Sequence, residues 1–360
     1  MLSEIGSNFW ICPGEGKGRK ILDPPFQFGY RGSDYVWMST GRSATRLVLQ
    51  TIEERNPRCK KVALVPPFTC HTVFEPFIVC GYEIRTMPLN PNLTINADDI
   101  ALLQERYDAG VVLVHRYYGF DTLPCFNQLV KSLKNKGVIV IEDCTQCLYS
   151  SFIISEADYI VASIRKWCGV PDGGFAICKE GGFSHKPTQS DARMVETKRF
   201  ASELKYKFLF EGDGDKPTFK AMYREAEELL DNQKGYYTIG EISANIQANL
   251  DVEQLKKKRR KNYKTLLDGF MGIKGAKVVF ETLPDDVVPL YFPILVDDRD
   301  AIQGLLAYND IYAPVVWPKE DKCPPIGIIA NSFYKKILCI PIDQRYDVDD
   351  MLRIIKVLNQ

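Results

Sequence analysis

The run Ser163-Ile164-Arg165-Lys166-Trp167-Cys168-Gly169-Val170-Pro171-Asp172-Gly173-Gly174 follows the apolar stretch Tyr159-Ile160-Val161-Ala162. An earlier apolar stretch, Val138-Ile139-Val140-Ile141, runs straight into Glu142-Asp143. Each stretch reads as a short buried strand whose carboxyl end is followed by one reactive side chain, Asp143 in the first case and Lys166 in the second. Runs of the same kind, Val62-Ala63-Leu64-Val65, Glu83 to Met87 and Val111-Val112-Leu113-Val114, come before them, with helical patterns between, clearest from Leu123 to Lys136. Continuous apolar strands separated by helices predict a mainly parallel α/β sheet covered on both faces. Such sheets bind ligands at the carboxyl ends of their strands, so Asp143 and Lys166 are expected in one site.

The rest of the chain bounds that reading. With 360 residues, 45% of them apolar, it can bury a large core and is expected to form one large and one small domain. Toward the end, Val278-Val279-Phe280, Leu290 to Val296, a helix over Arg299 to Tyr308, Ile337 to Ile340 and a helix over Asp347 to Leu358 read as a compact α+β unit. Glu211 to Lys216 reads as an exposed loop. No stretch approaches the roughly 20 apolar residues of a membrane span, and the start lacks a basic-then-apolar signal pattern, which predicts a cytoplasmic protein. Forty-six basic residues balance forty-six acidic ones, so no global field favours nucleic acid. Lys256 to Arg260 reads as a solvated helix face. Eleven scattered cysteines suit reduced thiols. Cys144-Thr145-Gln146-Cys147 is the one CxxC, and His71, His115 and His185 are not spaced like zinc ligands, so buried small hydrophobes are expected there rather than a metal site.

A strand-end carboxylate and a strand-end lysine meet two demands of pyridoxal 5'-phosphate. Its ring is an electron sink only while the ring nitrogen stays protonated, which a buried carboxylate alongside enforces; Asp143 is the candidate. Its aldehyde is held by a lysine amine that loses its proton readily, and burial near other cations moves a lysine pKa that way; Lys166 fits. Its phosphate needs an anion site ahead of the core strands. Ser39-Thr40-Gly41-Arg42-Ser43-Ala44-Thr45 has the form of one, with hydroxyl caps, a glycine that permits close backbone approach, and a helix whose free N–H groups favour an anion. Capped helix starts without a ligand are commoner, so this run gains weight only from its order with Asp143 and Lys166.

Taken in order, Gly41-Arg42-Ser43, Pro66-Pro67-Phe68-Thr69, Glu142-Asp143-Cys144-Thr145-Gln146, Ser163 to Lys166 and Asp172-Gly173-Gly174 resemble the DegT/DnrJ/EryC1/StrS family of sugar aminotransferases, of the aspartate aminotransferase fold. Val114-His115 with Tyr118-Gly119, then Ile311, Pro314 and Leu338-Cys339-Ile340-Pro341-Ile342, extend the likeness over nearly the whole chain. The resemblance implies fold type I: a mainly parallel, seven-stranded-type large domain over residues 1–250 with an N-terminal segment, and a small α+β domain over 251–360. It implies pyridoxal 5'-phosphate held covalently by Lys166, with Asp143 on the ring nitrogen and Gln146 near the ring hydroxyl. Ser163 and the Gly41-Arg42-Ser43 turn would hold the phosphate, and Cys70 stands where the family sets an aromatic against the ring. Transfer of an amino group from an amino acid, glutamate, to a nucleotide-linked keto sugar by a homodimer is the implied activity.

The sequence departs from the family at Cys70 and in two further places. Lys234-Gly235-Tyr236-Tyr237 has no asparagine where the family's Gly-x-Asn-Tyr loop reaches a neighbouring subunit's phosphate, and Ser163 stands closer to the lysine than in the common Ser-Phe-x-x-x-Lys form. Two other readings stay open. The family's sugar dehydratases replace the lysine with histidine, so Lys166 argues against a lyase or dehydratase. A non-catalytic binding or regulatory protein would be separated from both enzymes by a half-reaction with glutamate. Tyr117, Tyr236 and Trp317 are pocket candidates whose commoner role is core or interface packing. Among the arginines of the small domain, Arg299 and Arg353 read as solvated helix residues. Arg345 is the one placed to reach a pocket, where aspartate-type enzymes clamp a carboxylate with a bidentate arginine.

Overall fold

Seven strands form the main sheet in a computed structural model of the chain, which describes residues 4–18, 22–151, 155–270, 275–320 and 323–360. They are β1 (Asp34–Met38), β2 (Val62–Val65), β3 (Glu83–Thr86), β4 (Val111–His115), β5 (Ile139–Asp143), β6 (Tyr159–Ser163) and β7 (Gly174–Cys178). Their order across the sheet is β1-β7-β6-β5-β4-β2-β3. The five from β2 to β6 are parallel, as the apolar runs predict, while β7 is antiparallel to β6 and β1 antiparallel to β7. Asp143 is the last residue of β5 rather than a residue beyond it, in register with His115 of β4. Three antiparallel strands, β8 (Ala276–Val278), β9 (Phe292–Val296) and β10 (Ile337–Ile340), make a second sheet with β9 in the middle.

The helices are α1 (Gly41–Arg55), α2 (His71–Val79), α3 (Ala97–Tyr107), α4 (Phe126–Asn135), α5 (Ala192–Phe210), α6 (Lys216–Asp231), α7 (Glu241–Asn249), α8 (Val252–Gly269), α9 (Arg299–Tyr308), α10 (Ile328–Lys336) and α11 (Val348–Leu358). Side chains alternate across a strand, so a strand covered on both sides must be apolar throughout. All of β4 is buried: Val111 and Leu113 pack with Leu47, Val48 and Ile52 of α1, while Val112 and Val114 face Ile100 of α3 and Leu129 and Leu133 of α4. That two-sided cover is why the central parallel strands read as unbroken apolar runs, while β3 at the sheet edge alternates exposed Glu83 and Arg85 with half-buried residues.

A third cluster fixes the lysine turn. Trp167 is fully buried, its indole N–H donates to the Thr145 carbonyl (2.7 Å), and its own carbonyl accepts from Gln344 (2.7 Å) and Arg259 (3.3 Å). Burying an aromatic of this size removes about 150–250 Å² of surface from water, worth roughly 4–6 kcal/mol. Lys166 is thereby held at the carboxyl end of the sheet by the residue after it. Arg259 corrects one expectation. Within Lys256 to Arg260 it points inward, 1% exposed, and stacks over Trp167.

Residues 4–9 form a strap between distant parts of the chain. Ile5 and Gly6 pair in parallel with Ile311 and Tyr312, and Glu4 bridges Lys205 of α5 (3.0 Å) and Lys216 of α6 (2.8 Å). Arg345 donates to the carbonyls of Ser7 and Asn8, and Tyr223 to that of Phe9. Helices α5 and α6, joined by the exposed turn 211–215, pack against this strap as a hairpin. Ile239 and Ile246 are buried in the chain's own core.

Candidate active site

One cavity of about 510 Å³ opens at the carboxyl ends of β4, β5 and β6, and Lys166, Asp143, Gly41, Arg42, Cys70, Gln146 and Ser163 all line it. Ser43 does not. Its hydroxyl and amide are spent on Thr40 in a capping box (Oγ–Oγ1 2.8 Å, N–Oγ1 2.9 Å) that starts α1. With the Ser43 amide used by Thr40, the amides of Gly41 and Arg42 are the ones left at the helix start. The approach is close. A Cβ on Gly41 would lie 3.3 Å from the backbone of Ala162 and Ser163, and one on Gly174 only 2.4 Å from the Thr40 carbonyl carbon. The Gly173-Gly174 pair thus lets the lysine loop fold against the helix start, with Gly173 at φ +131°.

Lys166 ends a short helical turn (Ile164–Lys166) after β6. Its side chain lines the cavity and is exposed there, while the protein packed around its amine and the neighbouring Arg165 guanidinium push that amine below the ordinary lysine value. Asp143 accepts from the Thr145 amide (2.9 Å). Burial raises its carboxyl above the usual range, with the Thr145 hydroxyl and amide opposing. Glu142 points to the other face of the sheet, where it forms a buried ion pair with Arg116. Strand alternation therefore separates two adjacent acids, leaving Asp143 alone to face the cavity.

Gln146 is held by the Tyr118 amide, which donates to its Oε1 (3.0 Å), and its Nε2 lies 3.3 Å from His115 Nδ1. The Ser163 amide donates to the Thr145 hydroxyl (2.9 Å), and its own hydroxyl points to the Gly173 carbonyl (3.4 Å). Arg42 donates to Glu75 (2.8 Å) and Asp231 (2.9 Å). Trp317 lines the cavity, edge-on to His115 with ring centroids 5.9 Å apart. Tyr117 instead stacks on Phe68 in the core, and Tyr236 bonds Gln50. Arg299 and Arg353 donate to backbone carbonyls, those of Tyr334 and Asn309. Arg345 borders an adjoining cavity of about 690 Å³ that also reaches Lys166, but its guanidinium is engaged by Asp343 and the strap.

Several further residues line the cavity: Thr69, His115 and Arg165, which lie inside the quoted motifs but carry no assigned role there, and Lys198 and Glu227 of the α5–α6 hairpin, which carry no local sequence signal for a site. Thr69 Oγ1 is buried without a hydrogen-bond partner among the described residues, an orphan that a ligand's polar group would satisfy. An unbonded amine, a facing carboxylate, free helix-start amides behind a glycine cradle and this orphan hydroxyl fit pyridoxal 5'-phosphate. Among the described residues no group of three or more acids, cysteines or histidines could hold a metal ion, all eleven cysteines are free, and no helix is long and apolar enough to cross a membrane.

His115 sets an acid limit on this architecture. Burial drives its pKa from 6.5 down to about 3. An unfolded chain therefore takes up a proton that the folded one refuses, and stability falls as pH drops from 6.5 toward about 3. One such proton gives a slope of up to about 1.4 kcal/mol per pH unit. His115→Phe is expected to flatten that slope, and urea-unfolding midpoints measured across the acid range check it.

No protein-family profile matches the chain, and no curated protein matches it. Solved structures do. Helicobacter pylori PseC, an aminotransferase involved in the biosynthesis of pseudoaminic acid, is 13% identical and superposes over 99% of this chain and 98% of its own with a TM-score of 0.71. A DegT DnrJ EryC1 StrS aminotransferase from Brucella abortus is 17% identical over 95% of this chain and 91% of its own, with a TM-score of 0.64. DesI, solved in the presence of its TDP-sugar product, is 13% identical over 99% and 93%, with a TM-score of 0.65. The chain has the fold of these proteins, the type I architecture expected from its sequence.

Proposed function

We propose that this protein is a pyridoxal-phosphate-dependent aminotransferase that moves an amino group from an amino acid, glutamate, to a keto sugar carried on a nucleotide. The observation that carries the reading is the placement of Lys166 and Asp143 on one cavity whose other wall is the α1 start. Lys166 would hold the cofactor, Asp143 its ring nitrogen, and the Gly41 and Arg42 amides with Ser163 its phosphate. When bound, the cofactor supplies an electron sink for the substrate's α-carbon. Lys166, its amine kept easily deprotonated by burial, is placed to take and return the proton at that carbon. Gln146 and Thr145 orient the acid side of the pocket.

The acceptor assignment draws on the fold relatives, one of them solved with a TDP-sugar, and on the engagement of Arg345. With Arg345 tied to Asp343, the described residues of the small domain offer no free arginine fork of the kind that clamps a keto acid's carboxylate. The adjoining cavity, open to Lys166, gives room for a large acceptor. We place the enzyme in the cytoplasm and read it as a homodimer, the second of which light scattering of the purified protein checks.

The test is a pair of half-reactions. Amino acids are offered to the cofactor-loaded protein, then nucleotide-linked 4-keto-6-deoxy sugars, pyruvate and 2-oxoglutarate to the aminated form. Conversion with glutamate and turnover with a keto sugar are expected. Rapid turnover with pyruvate and none with any sugar overturns the acceptor, and no half-reaction with any amino donor overturns the enzyme.

A further inference from the structure

Two largely enclosed cations, Lys198 of the α5–α6 hairpin and Arg165 of the lysine turn, line the cavity together with Gly41 and Arg42. Lys198 of α5 and Arg165, the residue before Lys166, both donate to the same oxygen of Glu227 on α6, Arg165 at 2.5 Å. Asp172, fully buried and bonded by the Gly240 amide (3.0 Å), is the other acid acting on this pair. Arg165 and Lys198 thus share a single carboxylate oxygen, and Lys166 adds a third cation beside them. Arg165 Nε is buried with no partner among the described residues. Enclosing a surplus cation is costly unless an anion joins it. The strain shows in Lys198, whose amine burial pushes down to about 7 even beside Glu227.

We propose that Arg165 and Lys198 form a phosphate-charge-compensating subsite supplied by this same chain, set beside the Gly41-Arg42 amides and taking the phosphate of the bound cofactor. The proposal rests on the cofactor reading above. Its geometry is local: Arg165 is two residues from Ser163, whose backbone abuts Gly41, and Lys198 lines the same cavity wall. A phosphate dianion arriving there would meet two charge-assisted donors and complete the balance that Glu227 and Asp172 leave short. The departure at residues 234–237 agrees with it, since Tyr237 and Tyr236 of that loop are tied into their own chain, through Ser39 and Gln50.

Equilibrium dialysis of cofactor-free protein against pyridoxal 5'-phosphate and against pyridoxal, which lacks the phosphate, tests this. Lys198→Met is expected to weaken pyridoxal 5'-phosphate binding by about tenfold to a hundredfold and to leave pyridoxal binding unchanged. Lys198→Arg is expected to restore the phosphorylated ligand, and a native urea midpoint for both variants guards against misfolding. Equal losses for both ligands, or no loss for either, overturn the subsite. Unchanged cofactor binding with a raised KM for donor or acceptor gives these cations to a substrate anion instead and also overturns it. A wild-type protein that binds neither ligand defeats the cofactor reading itself, an outcome distinct from all of these.

Discussion

Lys166→Ala is expected to remove the half-reaction with the amino donor, by about 10⁴-fold or more, because one side chain both anchors the cofactor and moves the proton. The variant should stay folded, since the turn is held by Trp167, Arg259 and Gln344 rather than by the lysine. Borohydride reduction of the wild type followed by peptide mapping checks the anchor directly, with the pyridoxyl label on Lys166. A label on Lys198, the other amine of the cavity that burial holds near neutrality, would move the covalent site to α5.

Asp143→Asn keeps the shape and removes the charge, so cofactor binding should survive while the half-reaction slows by about 10²- to 10³-fold. Among the described residues the neighbouring carboxylates are engaged elsewhere, Asp231 of the same cavity by Arg42. Glu142 is committed to Arg116 on the opposite face, and Glu227 and Asp172 belong to the cluster around Lys198. Pre-steady-state absorbance with glutamate measures the rate, and dialysis measures the retained cofactor. Near-normal turnover in the variant would show that the ring nitrogen does not depend on this carboxylate.

Whereas the edge strand β3 carries exposed Glu83 and Arg85, the central parallel strands were legible because they are buried on both faces, which leaves a run such as Val111-Val112-Leu113-Val114 with no polar residue to obscure it. Strands β1 and β7 were not. Asp-Tyr-Val-Trp-Met opens on a charged residue and has half-buried positions, and Gly-Phe-Ala-Ile-Cys begins with the glycine that the α1 start requires. Asp143, Lys166 and Gly41 could be picked out because strand ends and helix starts carry local signals. Lys198 and Glu227 could not, since each looks like one more charge on an amphipathic helix until the hairpin brings them together over the cavity. Arg259 was misread for the same reason: the basic residues around it are half-buried or exposed, and only its position on α8 turns it toward Trp167. Thr69 and the strap residues depend on contacts between segments far apart in sequence.

The strap also orders events at the ribosome. The Gly6 amide donates to the Tyr346 hydroxyl, 340 positions away. At about 5–20 residues per second, residues 4–9 wait roughly 20–70 s after synthesis before that partner exists. Once β7 has been made, and for the rest of that interval, the nascent chain carries Asp143 and Lys166 on a sheet whose neighbouring wall is still missing. A chaperone that shields residues 4–9 would therefore be protecting a docking edge from premature pairing, and a message cut short before Ile311 would yield the two reactive side chains without the strap contacts that enclose them.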